Sequence, residues 1–188
     1  LLGVWSGFVG LSFSLIIRLN FLEPYYNVVS LDCYNFLVTN HGILMIFFFL
    51  MPVLIGGFGN YLLPLLGGLC DLSLPRLNAL SVWLLIPSVV FLVISMCLGA
   101  GVGWTFYPPL SLFSFMSSKG VDFLMFSLHL VGISSLLGAI NFICTLYNIF
   151  IVGISVRISI LLWSYFFTSV LLLVTLPVLA AAITMLLF

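Results

Sequence analysis

The sequence predicts an all-α fold, a polytopic transmembrane helix bundle of about five helices, and three observations carry that expectation. Of 188 residues, 64% are hydrophobic and 4% charged, whereas a soluble domain carries charge on about a quarter of its residues. The mean hydropathy is +1.45. The few charges are spaced so that long uncharged blocks lie between them, each near the ~20 apolar residues that a helix needs to cross hydrocarbon.

The charges punctuate the chain, because a charge within hydrocarbon is costly and settles at a helix end or in a loop. Arg18, Glu23 and Asp32 bracket the first gap, Asp71 and Arg76 the second, Lys119 and Asp122 the third, and Arg157 the fourth. Helices are therefore expected near 1–20, 34–68, 79–100, 121–149 and 158–188, in a single transmembrane domain over 1–188. The second is longer than a simple crossing needs, which predicts tilt or extension past the membrane surface. Turn-forming stretches coincide with the breaks: EPYYN, LPRLN, GVGWTFYPPLS and IVGIS. Pro52, Pro64, Pro87 and Pro177 fall inside the apolar blocks, where membrane helices re-satisfy the freed carbonyls from neighbours and often kink.

Charge also excludes functions. Four basic and four acidic residues balance to zero, so nothing speaks for nucleic acid or for an anionic membrane surface. The positive-inside rule gives a tie, with Arg18 and Lys119 on one side and Arg76 and Arg157 on the other. Cys33, Cys70, Cys97 and Cys144 are scattered without metal-ligand spacing and read as small hydrophobes rather than a disulfide framework. No repeat or heptad stands out. P-loop, zinc-hydrolase and serine-nucleophile motifs are absent from the sequence, as are paired carboxylates. The chain opens without methionine or a basic leader and closes on an apolar run, which reads as an internal stretch of a longer chain.

Polar residues inside the apolar blocks are the candidates for function. His41 heads some thirty uncharged residues, and with Met45, Phe48 and Pro52 it recurs at helical spacing. An imidazole on such a face suits a flat apolar cofactor, and neutral imidazole is a good ligand for haem iron. The glycines of IGGFGN admit a close neighbour. The competing reading is a histidine bonded across to a neighbouring helix. In the fourth block Ser127, Ser134 and Asn141 are seven apart, with Ser135 and Gly138 beside them. This stripe is either a file for water or the packing seam of a helix pair, and the seam is the commoner case. His129 lies on another face and reads as an interhelical donor rather than a ligand. Asp71 stands near Asn60 and Asn78 if the loop folds back. It reads either as a collector of protons at a channel mouth or as a solvated loop carboxylate. The alternative function for the whole is a non-enzymatic membrane protein, a channel or assembly module, whose His41 only hydrogen-bonds a neighbour.

The runs HGILMIFFFLMPVLIGGFGNYLLPLL, DLSLPRLNALSVWLLIPS, GWTFYPPLS, VDFLMFSLHLVGISSLLGAINFI and LPVLAAAITMLL resemble, in order, subunit I of the mitochondrial cytochrome c oxidases, in the haem–copper oxidase family. The resemblance covers essentially the whole chain and implies a stretch from the first to the fifth of twelve transmembrane helices. It implies that His41 is an axial ligand of the low-spin haem a, that Arg18 hydrogen-bonds the formyl group of that haem, and that Trp104 lies near its propionates. It implies that Asp71 stands at the entrance of a proton channel whose water file is lined by Asn60, Asn78, Ser134, Ser135 and Asn141. It further implies an inner-membrane complex with lipid and other oxidase subunits as partners, cytochrome c as electron donor, and oxygen reduced to water with coupled proton translocation.

Three positions depart from the family pattern. Ala79 stands where a second asparagine is common, SMCLGAGVGW replaces a longer acid-containing segment, and Asn20 falls where an acidic ligand of a surface cation site is frequent. The second axial histidine, the copper ligands, the proximal histidine of the oxygen-binding haem and the glutamate ending the channel are expected beyond Phe188, so the chain by itself is expected not to reduce oxygen.

Overall fold

The computed structural model describes residues 1–22, 28–116, 118–151 and 159–187, the side chain at 151 excepted. Glu23 and Arg157, and with them the EPYYN and IVGIS breaks, lie outside the described residues. The first span is α1 (Leu2–Asn20). The second is continuous over three windings: α2 (Leu31–Ile43), a π-wound stretch (Leu44–Gly59) and α3 (Asn60–Gly67). Then come α4 (Pro75–Leu98), α5 (Gly120–Ile151) and α6 (Ile160–Leu187). Five spans are long and apolar enough to cross a membrane.

Local chemistry moves two helix starts away from the charge-based expectation. The second span begins at Leu31 rather than near 34, because the Ser30 hydroxyl accepts the Cys33 N–H and caps the first turn. The third begins at Pro75 rather than near 79. Proline at the first helical position lacks only an N–H that would have no helical partner there, and Arg76, exposed at the helix end, needs no loop to hold it. At the far end Gly99 takes φ +78° and returns its N–H to the Ser95 carbonyl at 3.1 Å, closing α4.

The spans are apolar outside and polar inside at chosen points. Trp83, Val90, Leu171, Val174 and Val178 are exposed, while Ser6, Thr39, Asn40, Ser88, Ser127 and Asn141 are completely buried. Apolar surface toward lipid costs nothing, so small polar side chains inside supply hydrogen bonds between helices. α1 meets the second span through Gly3, Gly7 and Gly10; a Cβ on Gly7 would fall 2.6 Å from Phe49 Cδ2.

The wide winding of the second span surrounds Pro52. Proline has no N–H to give the Phe48 carbonyl four residues back, and that carbonyl instead accepts the Ser6 hydroxyl of α1 at 2.7 Å. The Leu54 carbonyl accepts the Tyr165 hydroxyl of α6 at 3.0 Å. The proline-bearing span is thus stitched on two sides by neighbours. One apolar cluster joins Ile43, Leu44 and Phe48 to Leu92, Leu124 and Ile183; a second gathers Leu63, Leu72, Phe142 and Leu146.

Candidate functional site

His41 projects from α2 toward α1, and its Nδ1 lies 2.8 Å from the Gly10 carbonyl oxygen. A carbonyl only accepts, so Nδ1 carries the proton and donates. Nε2 is thereby left as the lone-pair nitrogen, with no hydrogen-bond partner among the described residues, on a half-buried ring. Donation of one ring N–H to a carbonyl is how proteins orient an imidazole whose other nitrogen ligates a metal. It also satisfies the interhelical reading, since the bond joins α2 to α1. Arg18 follows Gly10 by eight residues on the same helix, about 12 Å along its axis. Its guanidinium is exposed in the last turn of α1, where the helix dipole favours a cation.

Trp104 comes from a distant loop to the same place. A Cβ on Gly42, the residue after His41, would fall 3.2 Å from Trp104 Cβ and 3.3 Å from Cγ. The indole therefore sits directly on the α2 backbone while remaining 48% exposed. Its loop is held by Thr39, whose buried hydroxyl donates to the Asn35 carbonyl at 2.7 Å and accepts the Gly103 N–H at 2.8 Å. Beyond the indole, Phe47, Trp104, Phe106, Leu128 and Ile183 line an apolar cavity of about 240 Å³. Among the described residues no three His, Cys, Asp or Glu come together to hold a bare metal ion. A single oriented imidazole suits a metal that arrives already held in a prosthetic group.

A second cavity, of about 530 Å³, is lined by Asn60, Asn78, Ser81, Ser134 and Ser135, with Met51, Phe142 and the start of α1. Asn60 donates to the Asn78 amide oxygen at 3.0 Å, and the Ser135 hydroxyl points at Met51 Sδ at 3.9 Å. Four of the six channel candidates thus surround one space. Asp71 and Asn141 do not line it. Asp71 is exposed, and its carboxylate accepts the N–H of its neighbour Leu72 at 2.7 Å. Asn141 is buried; its Oδ1 accepts the Leu74 N–H at 3.0 Å while its Nδ2 has no partner. With Thr145 accepting the Ser73 N–H and Asn148 donating to the Ser73 hydroxyl, Asn141 straps the Asp71 loop to α5.

The stripe on α5 meets a matching one on α4. Ser95 donates to the Gly120 carbonyl at 2.7 Å, Ser88 and Ser127 bond reciprocally at 2.8 Å, and Ser134 donates to the Ser81 carbonyl at 2.7 Å. Leu74 and Asn141 make the next rung. Each step of seven residues along α4 is answered by seven in reverse along α5, as an antiparallel pair requires. The stripe is the seam of that pair, and at Ser134 it also reaches the cavity. Ser81, Ser88 and Ser95 are likewise seven apart; their spacing is visible in the sequence, but their partners lie on another helix. His129 bonds on both nitrogens, to its own helix at Met125 O (2.8 Å) and to the Thr184 hydroxyl of α6 (3.0 Å). Asn20 turns inward to accept the N–H groups of Val28 and Val29.

Fold and placement together define a multi-pass helical membrane protein with hydrogen bonds inside and apolar surface outside. The chain belongs to the family described as Cytochrome C and Quinol oxidase polypeptide I, whose profile matches residues 1–188. It is 47% identical over 188 residues to Cytochrome c oxidase subunit 1 of Yarrowia lipolytica, covering 97% of this chain and 35% of that protein. The same-named protein of Candida albicans is 47% identical over 98% of the chain and 36% of its own length, and that of Pecten maximus 47% over 99% and 40%. The chain thus spans between 35% and 40% of the length of these curated relatives.

Proposed function

We propose that the protein containing this chain is the catalytic subunit of a terminal respiratory oxidase, which passes electrons from cytochrome c to oxygen and couples their transfer to proton translocation. Its expected setting is the mitochondrial inner membrane, with lipid and other oxidase subunits as neighbours. Family membership supports the reading, and the observation that carries it is the His41 geometry, with Nδ1 held by the Gly10 carbonyl and Nε2 left without a partner.

In this reading His41 holds the iron of a low-spin haem a through Nε2, and the Gly10 carbonyl fixes the tautomer and raises the basicity of the ligand. Bound there, haem a would supply reversible one-electron transfer. Arg18 offers a guanidinium to a polar edge substituent of that group, and Trp104 packs an indole face against the α2 backbone beside it. A second haem and copper belong to the whole subunit, with ligands outside this chain.

Asp71 collects protons at the exposed loop. Asn60, Asn78, Ser134 and Ser135 line a cavity large enough for several waters, each of which needs a few polar partners. Asn141 holds the mouth in place through Leu74. The test is H41A in the full-length subunit, which is expected to lose the low-spin haem absorption and oxygen turnover together; a retained band contradicts the ligand assignment. D71N is expected to slow proton uptake and leave the band intact, whereas unchanged uptake contradicts the entrance role.

A further inference from the structure

We propose that Thr39 is a positioning residue for the haem site, docking the loop that carries Trp104 onto α2 so that the indole is fixed against the backbone beside His41; this rests on His41 being the haem ligand.

Five observations carry it. Thr39 is fully buried, and its single hydroxyl proton is committed to the Asn35 carbonyl one turn back at 2.7 Å. Its oxygen therefore faces the Gly103 N–H as an acceptor, at 2.8 Å. Gly103 takes φ +84°, a backbone conformation open chiefly to glycine, so the turn that aims this N–H at α2 is built into the loop. Trp104 then lands on Gly42, where a Cβ would stand 3.2 Å from the indole's own Cβ. A third contact lies on the same face: a Cβ on Gly101 would approach the Phe36 nitrogen at 3.1 Å.

The loop touches α2 at Asn35, Phe36, Thr39 and Gly42, successive turns leading up to the ligand residue. Thr39 supplies the directional bond among them. Without it the Gly103 N–H has no acceptor and the indole is located only by shape. A half-exposed aromatic ring beside a haem affects how water and charge approach that haem, so its placement bears on the reduction equilibrium and not only on stability.

The experiment compares T39V, T39S, G42A and H41A in the full-length subunit within its assembled complex. Hydrogen exchange of the 101–106 segment, haem occupancy and the optical redox titration of the low-spin haem are read. T39V is expected to speed exchange in that segment about tenfold or more and to displace the haem reduction equilibrium by at least about threefold, the lower range of one hydrogen bond's worth, with haem occupancy retained. T39S keeps the acceptor and is expected to match the parent. G42A leaves Thr39 intact but pushes on the indole from below, and is expected to displace the reduction equilibrium as well. Faster exchange in T39V with an unmoved reduction equilibrium overturns the proposal, because Thr39 then only holds a loop. Should T39V fail to assemble, an unmoved equilibrium in G42A overturns it equally. If H41A keeps the haem band, the ligand reading fails and the proposal with it; if H41A loses the band while T39V and G42A titrate as the parent does, the proposal alone fails.

Discussion

Ser88 of α4 and Ser127 of α5 bond to each other's backbone, each hydroxyl donating to the other's carbonyl at 2.8 Å, with the two oxygens 3.2 Å apart. Both residues are completely buried. No hydrophobic force draws helices together in lipid, so small side chains that let backbones approach, and hydroxyls that bond across the gap, have to do it. The rung is one of four, and its reciprocity makes it the most constrained.

Replacing Ser88 or Ser127 by alanine is therefore expected to weaken the α4–α5 pair by about 0.5–1.5 kcal/mol each, the range for interhelical hydrogen bonds in membranes. The double replacement is expected to cost about as much as the two singles together, because each hydroxyl bonds to a backbone carbonyl that alanine at the other position retains. Denaturant unfolding in detergent micelles of the four combinations measures this. A double replacement that costs no more than one single contradicts the two separate bonds.

Gly7 tests the seam between α1 and the second span. A Cβ there meets Phe49 Cδ2 at 2.6 Å and Cε2 at 2.9 Å, so the ring or the helix has to move. G7A is expected to destabilise by about 1–3 kcal/mol, the usual cost of overpacking. One turn further along α1 lies Gly10, whose carbonyl holds His41 Nδ1, so haem content per subunit is expected to fall as well. Thermal unfolding together with a haem-to-protein ratio reads both effects, and a variant of parental stability contradicts the close approach.

Asn141 tests the strap over the Asp71 loop. In N141A the half-buried Leu74 N–H loses its acceptor, at a cost of about 1 kcal/mol, the lower end of the range for an unsatisfied donor. Hydrogen exchange at residues 72–74 is expected to rise while the α4–α5 rung at Ser88 and Ser127 stays protected. Unchanged exchange in the loop contradicts the anchoring role.

The five spans were legible because charge is so scarce that eight residues divide the chain. Helix starts were less so: Ser30 and Pro75 set them by capping chemistry and by tolerance at the first turn, while the charges beside them, Asp32 and Arg76, sit inside the helices they were read as preceding. The presentation of His41 on an apolar face was legible from spacing, but its partner, the Gly10 carbonyl, is a backbone atom and leaves no letter in the sequence. The α5 stripe was visible and its two readings were both open; only the antiparallel register of α4 puts Ser81, Ser88 and Ser95 opposite it. The docking of Trp104 was not legible at all, since Thr39 and Gly103 are 64 residues apart and neither is unusual where it stands. The wide winding around Pro52 depends likewise on Ser6 and Tyr165, supplied by two other spans.

We propose that His41 Nε2, left without a partner by the Gly10 bond, ligates haem iron. The most direct measurement is the low-spin haem spectrum of H41G in the full-length subunit, recorded without and then with added imidazole. The band is expected to be absent in the variant and to return as imidazole occupies the vacated position. A band present before imidazole is added would contradict it, and His41 would then be a tie between α1 and α2 and nothing more.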